Sequence, residues 1–109
     1  MSDVNCVVLS GRLTTDPVMR ATPKGMPVAS LRLASDRFYA DKKDVVFIDV
    51  SVFSKTAENV GKYLKKGDPV IVRGQLELDV WDGKDGKKHQ KYRIIAQEVV
   101  FLPRAKKNI

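Results

Sequence analysis

Three aromatic side chains, Phe47, Phe53 and Trp81, fall at strand-spaced positions among charged and polar residues. In residues 45–53 the even positions Val46, Ile48, Val50 and Val52 are all apolar, while the odd positions read Val45, Phe47, Asp49, Ser51 and Phe53. Residues 70–81 repeat the arrangement. Val70, Val72, Gly74, Leu76, Leu78 and Val80 form one side, and Ile71, Arg73, Gln75, Glu77, Asp79 and Trp81 form the other. Successive side chains of a strand point to opposite faces, so this period puts the rings on a wet face rather than in the core. An exposed ring gains most from a flat partner that covers it, and a nucleic-acid base is flat. The chemistry on offer is stacking, not bond making.

Other chemistries find little support in the composition. A single cysteine, Cys6, excludes an intrachain disulfide and a cysteine-clustered metal site. The single histidine, His89, sits in the polar run 86–91 with no second His or Cys nearby, so no metal and no catalytic role is expected for it. No Ser/His/Asp set, phosphate-cradling Gly-rich loop or carboxylate pair stands out, and the expectation is a non-enzyme without a cofactor. Twenty Lys and Arg against thirteen Asp and Glu give a net charge of +7, which suits a polyanion partner and equally suits plain solubility. The rings favour the first, because membrane or heparin surfaces need no stacking platform. No apolar run approaches the ~18–20 residues of a membrane span, and Met1-Ser2-Asp3 lacks the marks of a secretory signal, so a cytoplasmic protein without a membrane partner is expected.

The elements that must position the rings can be read from the same alternation. Residues 5–13 form a β-branched strand ending at the turn Thr14-Thr15-Asp16-Pro17, residues 19–22 suit a short strand, and residues 27–37 follow with Leu31 and Leu33 on one face. Residues 40–44 read as a charged loop. The two patterned strands come next, then residues 92–102. Between the patterned strands, Ala57, Val60 and Leu64 recur at helical spacing, with Ser54 as expected N-cap and Gly67 as expected C′ residue. Residues 81–88 read as a long hairpin tip. With the short 19–22 strand set aside, the order β-β-β-α-β-β in 109 residues predicts an all-β, five-stranded antiparallel barrel with one α-helix between strands 3 and 4, the OB-fold architecture, in one domain with its core at about 4–104 and a short basic end at 105–109.

At this point specific stretches resemble a known family. VNCVVLSGRLTTDPVMR, PVASLRLAS, FIDVSVFSKTAENVGKYLKKGDPVIVRGQL and EVVFLPR are similar to the bacterial single-stranded DNA-binding proteins of tetrameric OB-fold type. The resemblance implies sequence-independent binding and protection of single-stranded DNA in replication, recombination and repair, by a homotetramer whose first strands pair between protomers. It also implies four stacking rings, which match Tyr39, Phe47, Phe53 and Trp81 here. Tyr39 shares parity with Leu31 and Leu33, so alternation alone would bury it. A break near residues 37–38 would re-aim it, and without such a break Phe38 is the exposed ring.

Basic positions transfer less evenly. Arg20, Lys42, Lys55 and Lys66 match places where the family is commonly basic, whereas Asp49 and Asp79 stand where Arg is frequent and Glu77 adds a third acid to the ring face. Arg73 and the lysines Lys42, Lys43, Lys84, Lys87 and Lys88 are expected to compensate as a phosphate rail. The family's acidic recruitment tail has no counterpart in this sequence, which ends PRAKKNI. A short paralogue used in DNA uptake or by a mobile element, or a core piece, would read this way, and tail-mediated recruitment of replication and repair proteins is expected to be absent. Two other uses of the same surface stay open: a protein-interaction subunit that buries the rings, and RNA binding of cold-shock type.

Overall fold

In the computed structural model, which describes residues 3–103, the alternating segments close on one another. Seven elements follow along the chain: β1 (Val7–Leu13), β2 (Val18–Ala21), β3 (Pro27–Tyr39), β4 (Lys42–Phe53), α1 (Ser54–Tyr63), β5 (Pro69–Asp82) and β6 (Lys88–Phe101). The sheet order is β1-β5-β6-β4-β3-β2. A second pairing of β1 with β3, at Arg12↔Ala34 and Leu13↔Leu33, closes five strands into a barrel with β2 flanking β3 outside it. The expected OB-fold is present, with one correction. The ring is not wholly antiparallel, because β4 and β6 run parallel over Asp49↔Arg93, Val50↔Ile94 and Ser51↔Ile95. A closed ring with an odd number of strands cannot alternate direction throughout, so at least one neighbouring pair must be parallel.

Closure buries what the pattern marked as apolar. Leu13, Leu33, Val50, Val52, Val72 and Ile94 fill the barrel, and α1 adds Ala57 and Val60. The helix caps differ from expectation. Phe53 is the N-cap and makes no side-chain capping bond, while Ser54 is already the first helical residue, at φ 61°. The helix ends at the extended Leu64, so Gly67 is not its C′ residue. Instead Gly67 adopts φ 90° and donates its N–H to the Leu13 carbonyl at 2.7 Å, tying the loop to β1.

The hairpins β3–β4 and β5–β6 outrun the barrel, with strands of 12 to 14 residues against seven in β1. Where they project there is no opposite wall, so both faces meet solvent. Val46, Leu76, Leu78 and Val80, expected in the core by parity, are therefore exposed. Both loops also shrink. Only Ala40 and Asp41 turn between β3 and β4, which puts Lys42 and Lys43 on a strand. Likewise Trp81 and Asp82 belong to β5, and Lys88 opens β6. The basic end expected at 105–109 lies outside the described residues.

Candidate nucleic-acid interface

One continuous outer face runs across β3, β4, β6 and β5. Residues opposite each other in a ladder share a face, so the pairs Ala34↔Phe47, Arg32↔Asp49, Asp49↔Arg93, Glu77↔Arg93, Asp79↔Lys91 and Trp81↔His89 assemble it. Phe47 lies on one arm at 55% exposure and Trp81 on the other at 44%. Phe53, half-buried, marks the step from β4 into α1. Alternation thus carried three of the four expected rings to one side of the sheet.

Tyr39 lies elsewhere. The β3–β4 ladder runs from Val28↔Phe53 to Tyr39↔Lys42 with no register shift, so nothing re-aims it. Tyr39 takes the face of Leu33 and Ile48, beyond the end of the barrel, where it is 43% exposed and lies under the Arg37 guanidinium at 4.5 Å. Phe38, at 72% exposure, instead shares the outer face with Phe47, and the Lys43 ammonium lies 5.7 Å from its centroid. The arm therefore presents rings on both faces.

Between the arms the face hollows into a groove of about 300 Å³, lined among others by Arg20, Arg32, Asp49, Ser51, Lys91 and Arg93. Arg20 donates to Ser30 Oγ at 2.7 Å. Asp49 is held by Arg32 at 2.9 Å and by Lys91. Burial raises the Asp49 carboxyl, but hydrogen bonds and attraction from Lys91 and Arg32 outweigh this and hold it below the usual carboxylate range. Arg93 grips Glu77 at 2.6 Å and reaches over Ser51, which is buried rather than exposed as its parity suggested.

Asp49 and Glu77 are thus paired by Arg32, Lys91 and Arg93, three cations that alternation alone does not single out. Arg73 does not serve them. It lies where β5 meets β1, opposite Val8, with Glu98 at 3.4 Å and Gln97 at 3.3 Å. Outward parity of Arg32 between Leu31 and Leu33 was readable. Its meeting with Asp49 and Lys91 needed the β3–β4–β6 pairing.

The remaining expected cations are scattered around the groove. Lys42 and Lys43 sit at the β3–β4 tip, with Lys43 3.8 Å from Asp36. Lys55 is exposed on the first turn of α1, and the Lys66 N–H donates to Asp16 Oδ1 at 2.8 Å, beside the groove residue Thr15. Lys84, Lys87 and Lys88 cluster at the β5–β6 tip. There Asp85 accepts from the Lys87 N–H and contacts the His89 ring, and these bonds lower its carboxyl. His89 in turn stacks on Trp81, with centroids 5.9 Å apart and planes 22° apart. One side of the indole is thereby shielded. Among the described residues no helix is long and apolar enough to cross a membrane.

A closed five-stranded barrel with one helix, carrying rings and cations along one outer face, defines the OB-fold class. Comparison with known proteins narrows the class: the chain belongs to the single-strand binding protein family, whose model matches residues 4–102. It is 41% identical over 102 residues to the single-stranded DNA-binding protein of Bacillus cereus, covering 91% of this chain and 60% of that one. Single-stranded DNA-binding protein 2 of Staphylococcus aureus (strain COL) is 40% identical, with 91% and 73% covered. The chain therefore spans about 60% of the length of the Bacillus relative. Among solved structures it superposes on a Plasmodium falciparum SSB in complex with ssDNA with a TM-score of 0.89, at 25% identity, over 94% of this chain and 98% of that one.

Proposed function

We propose that this chain binds single-stranded DNA without reading its sequence, sheltering it during replication, recombination and repair, as a cytoplasmic binding module and not a catalyst. The observation that carries the reading is the single outer face on which Phe47 and Trp81 stay exposed on either side of a cation-lined groove. Bases stack on Phe47, Phe53 and Trp81 whatever their identity, while Arg20, Lys42, Lys43, Lys55, Lys66, Lys84, Lys87 and Lys88 follow the backbone and Arg73 meets it only at the far rim. Tyr39 takes a base where the strand rounds the arm tip. A homotetramer supports the long site, and β1 suits strand pairing between protomers, since β3 pairs only with its last two residues and leaves that edge open along the rest.

Titrating oligo-dT is expected to quench the fluorescence of Trp81, the only tryptophan, and log K should fall with log salt by ~0.7 per phosphate neutralised. No quench at low salt would overturn the reading. Matched RNA preferred over DNA in competition would move it to the cold-shock type.

Phe38 joins the path by its position. Phe38→Ala is expected to lower oligo-dT affinity by about tenfold, since a stacked base contributes ~1–3 kcal/mol. Anisotropy of a labelled oligonucleotide measures this, and unchanged affinity would leave Phe38 outside the site.

A further inference from the structure

Two cations from different strands close on one carboxylate inside the groove. Asp49 stands on β4, the middle strand. Arg32 reaches across from β3 to Oδ1 at 2.9 Å, and Lys91 reaches from β6 to Oδ2 at 2.5 Å. Each carboxylate oxygen thus has its own cation. This is how a phosphate is also held, because charge-assisted donors recognise paired anionic oxygens and not the atom that joins them. We propose that Asp49 is a built-in phosphate mimic: it occupies on Arg32 and Lys91 the place that a backbone phosphate takes, and a bound strand must displace it. The proposal rests on the reading of the chain as a single-stranded DNA binder.

Three observations support this. The Arg32 guanidinium lies 5.6 Å from the Phe47 ring centroid, so the cation that Asp49 restrains neighbours a base stacked on that ring. The carboxylate lines a groove of about 300 Å³, at the lower end of small-ligand sites, so a phosphate has room to approach. Both pairs are also more than a third exposed, where water and salt weaken the internal contact and make its exchange for a phosphate cheap. Glu77 does not fill the same role. It gives one oxygen to Arg93 and does not line the groove.

The groove is thus poorer in free cations than its four basic residues, Arg20, Arg32, Lys91 and Arg93, would suggest. Binding there exchanges one anion for another, and the strand gains little net charge neutralisation. Removing the mimic should restore it.

Asp49→Asn keeps the shape and removes the charge. It is expected to bind labelled oligo-dT about tenfold more tightly at low salt, with the salt slope steeper by ~0.7 for each additional phosphate neutralised. Lys91→Ala should then cost more affinity in the Asp49→Asn background than in the wild type, because Asp49 no longer silences that lysine. Should Asp49→Asn lose its thermal transition, Asp49→Ser replaces it as a smaller charge-free variant. Equal or weaker binding by a folded, charge-free variant, while the wild type binds, defeats the mimic alone. Failure of the wild type to bind oligo-dT defeats the functional reading and the mimic with it.

Discussion

Replacing Phe47 and Trp81 together by alanine is expected to weaken oligo-dT binding by ~2–6 kcal/mol, roughly 30-fold to more than 10⁴-fold, since each ring carries one base at ~1–3 kcal/mol. The rings sit on different arms, so their losses should nearly add. The fold should survive, because both side chains are about half in water and neither belongs to the barrel core. Since the double variant lacks tryptophan, the measurement is anisotropy of a labelled oligonucleotide, with a thermal melt beside it. Tyr63→Ala is the matching control. That ring is equally exposed but lies at the end of α1 against Phe101, off the outer face, and its loss should leave affinity unchanged. Equal losses from both changes would mean that ring exposure, not the shared face, sets binding. Loss restricted to one base composition would contradict stacking without readout.

Gly74→Ala is expected to destabilise the barrel by about 3 kcal/mol or more, lowering the melting temperature by roughly 10–20 °C. The β5–β6 register shifts between Arg73 and Gly74, and this bulge brings the two backbones together. A Cβ on Gly74 would lie 2.0 Å from the Ile95 carbonyl oxygen and 2.9 Å from the Ala96 Cα, both main-chain atoms that the ladder holds fixed. Gly61→Ala makes the contrast. There the added Cβ meets the Met19 Sδ at 2.6 Å and Cε at 2.9 Å, the far end of a flexible side chain that can swing aside. Relief of a helical glycine is worth up to ~1 kcal/mol, so Gly61→Ala should be neutral or slightly stabilising. Thermal melts of the two variants decide it. Similar transitions would show that the bulge relaxes freely and that Gly74 is not required by close approach.

Alternation in the sequence by itself determined the side that residues of β3, β4 and β5 take, whereas in β6 the register shift puts both Ile94 and Val99 toward the core. Leu31, Leu33, Val50 and Val52 went inward, and Phe47 and Trp81 outward, because period two is a local property of extended backbone. Parity also held for Tyr39, whose face follows from an unbroken ladder that no nearby residue announces. What a side then meets is a matter of distance along and between strands, and only closure decides it. Val46, Leu78 and Val80 have core parity yet stay wet, because the arms extend past the opposite wall. Ser51 has outward parity yet is buried, because Arg93 from the parallel strand β6 covers it. The acids Asp49 and Glu77 were legible as charges on the ring face, but their partners were not. Arg32, Lys91 and Arg93 stand 17, 42 and 16 residues away from the acids they meet, and pairing over such separations is fixed by sheet topology, not by neighbours in the chain.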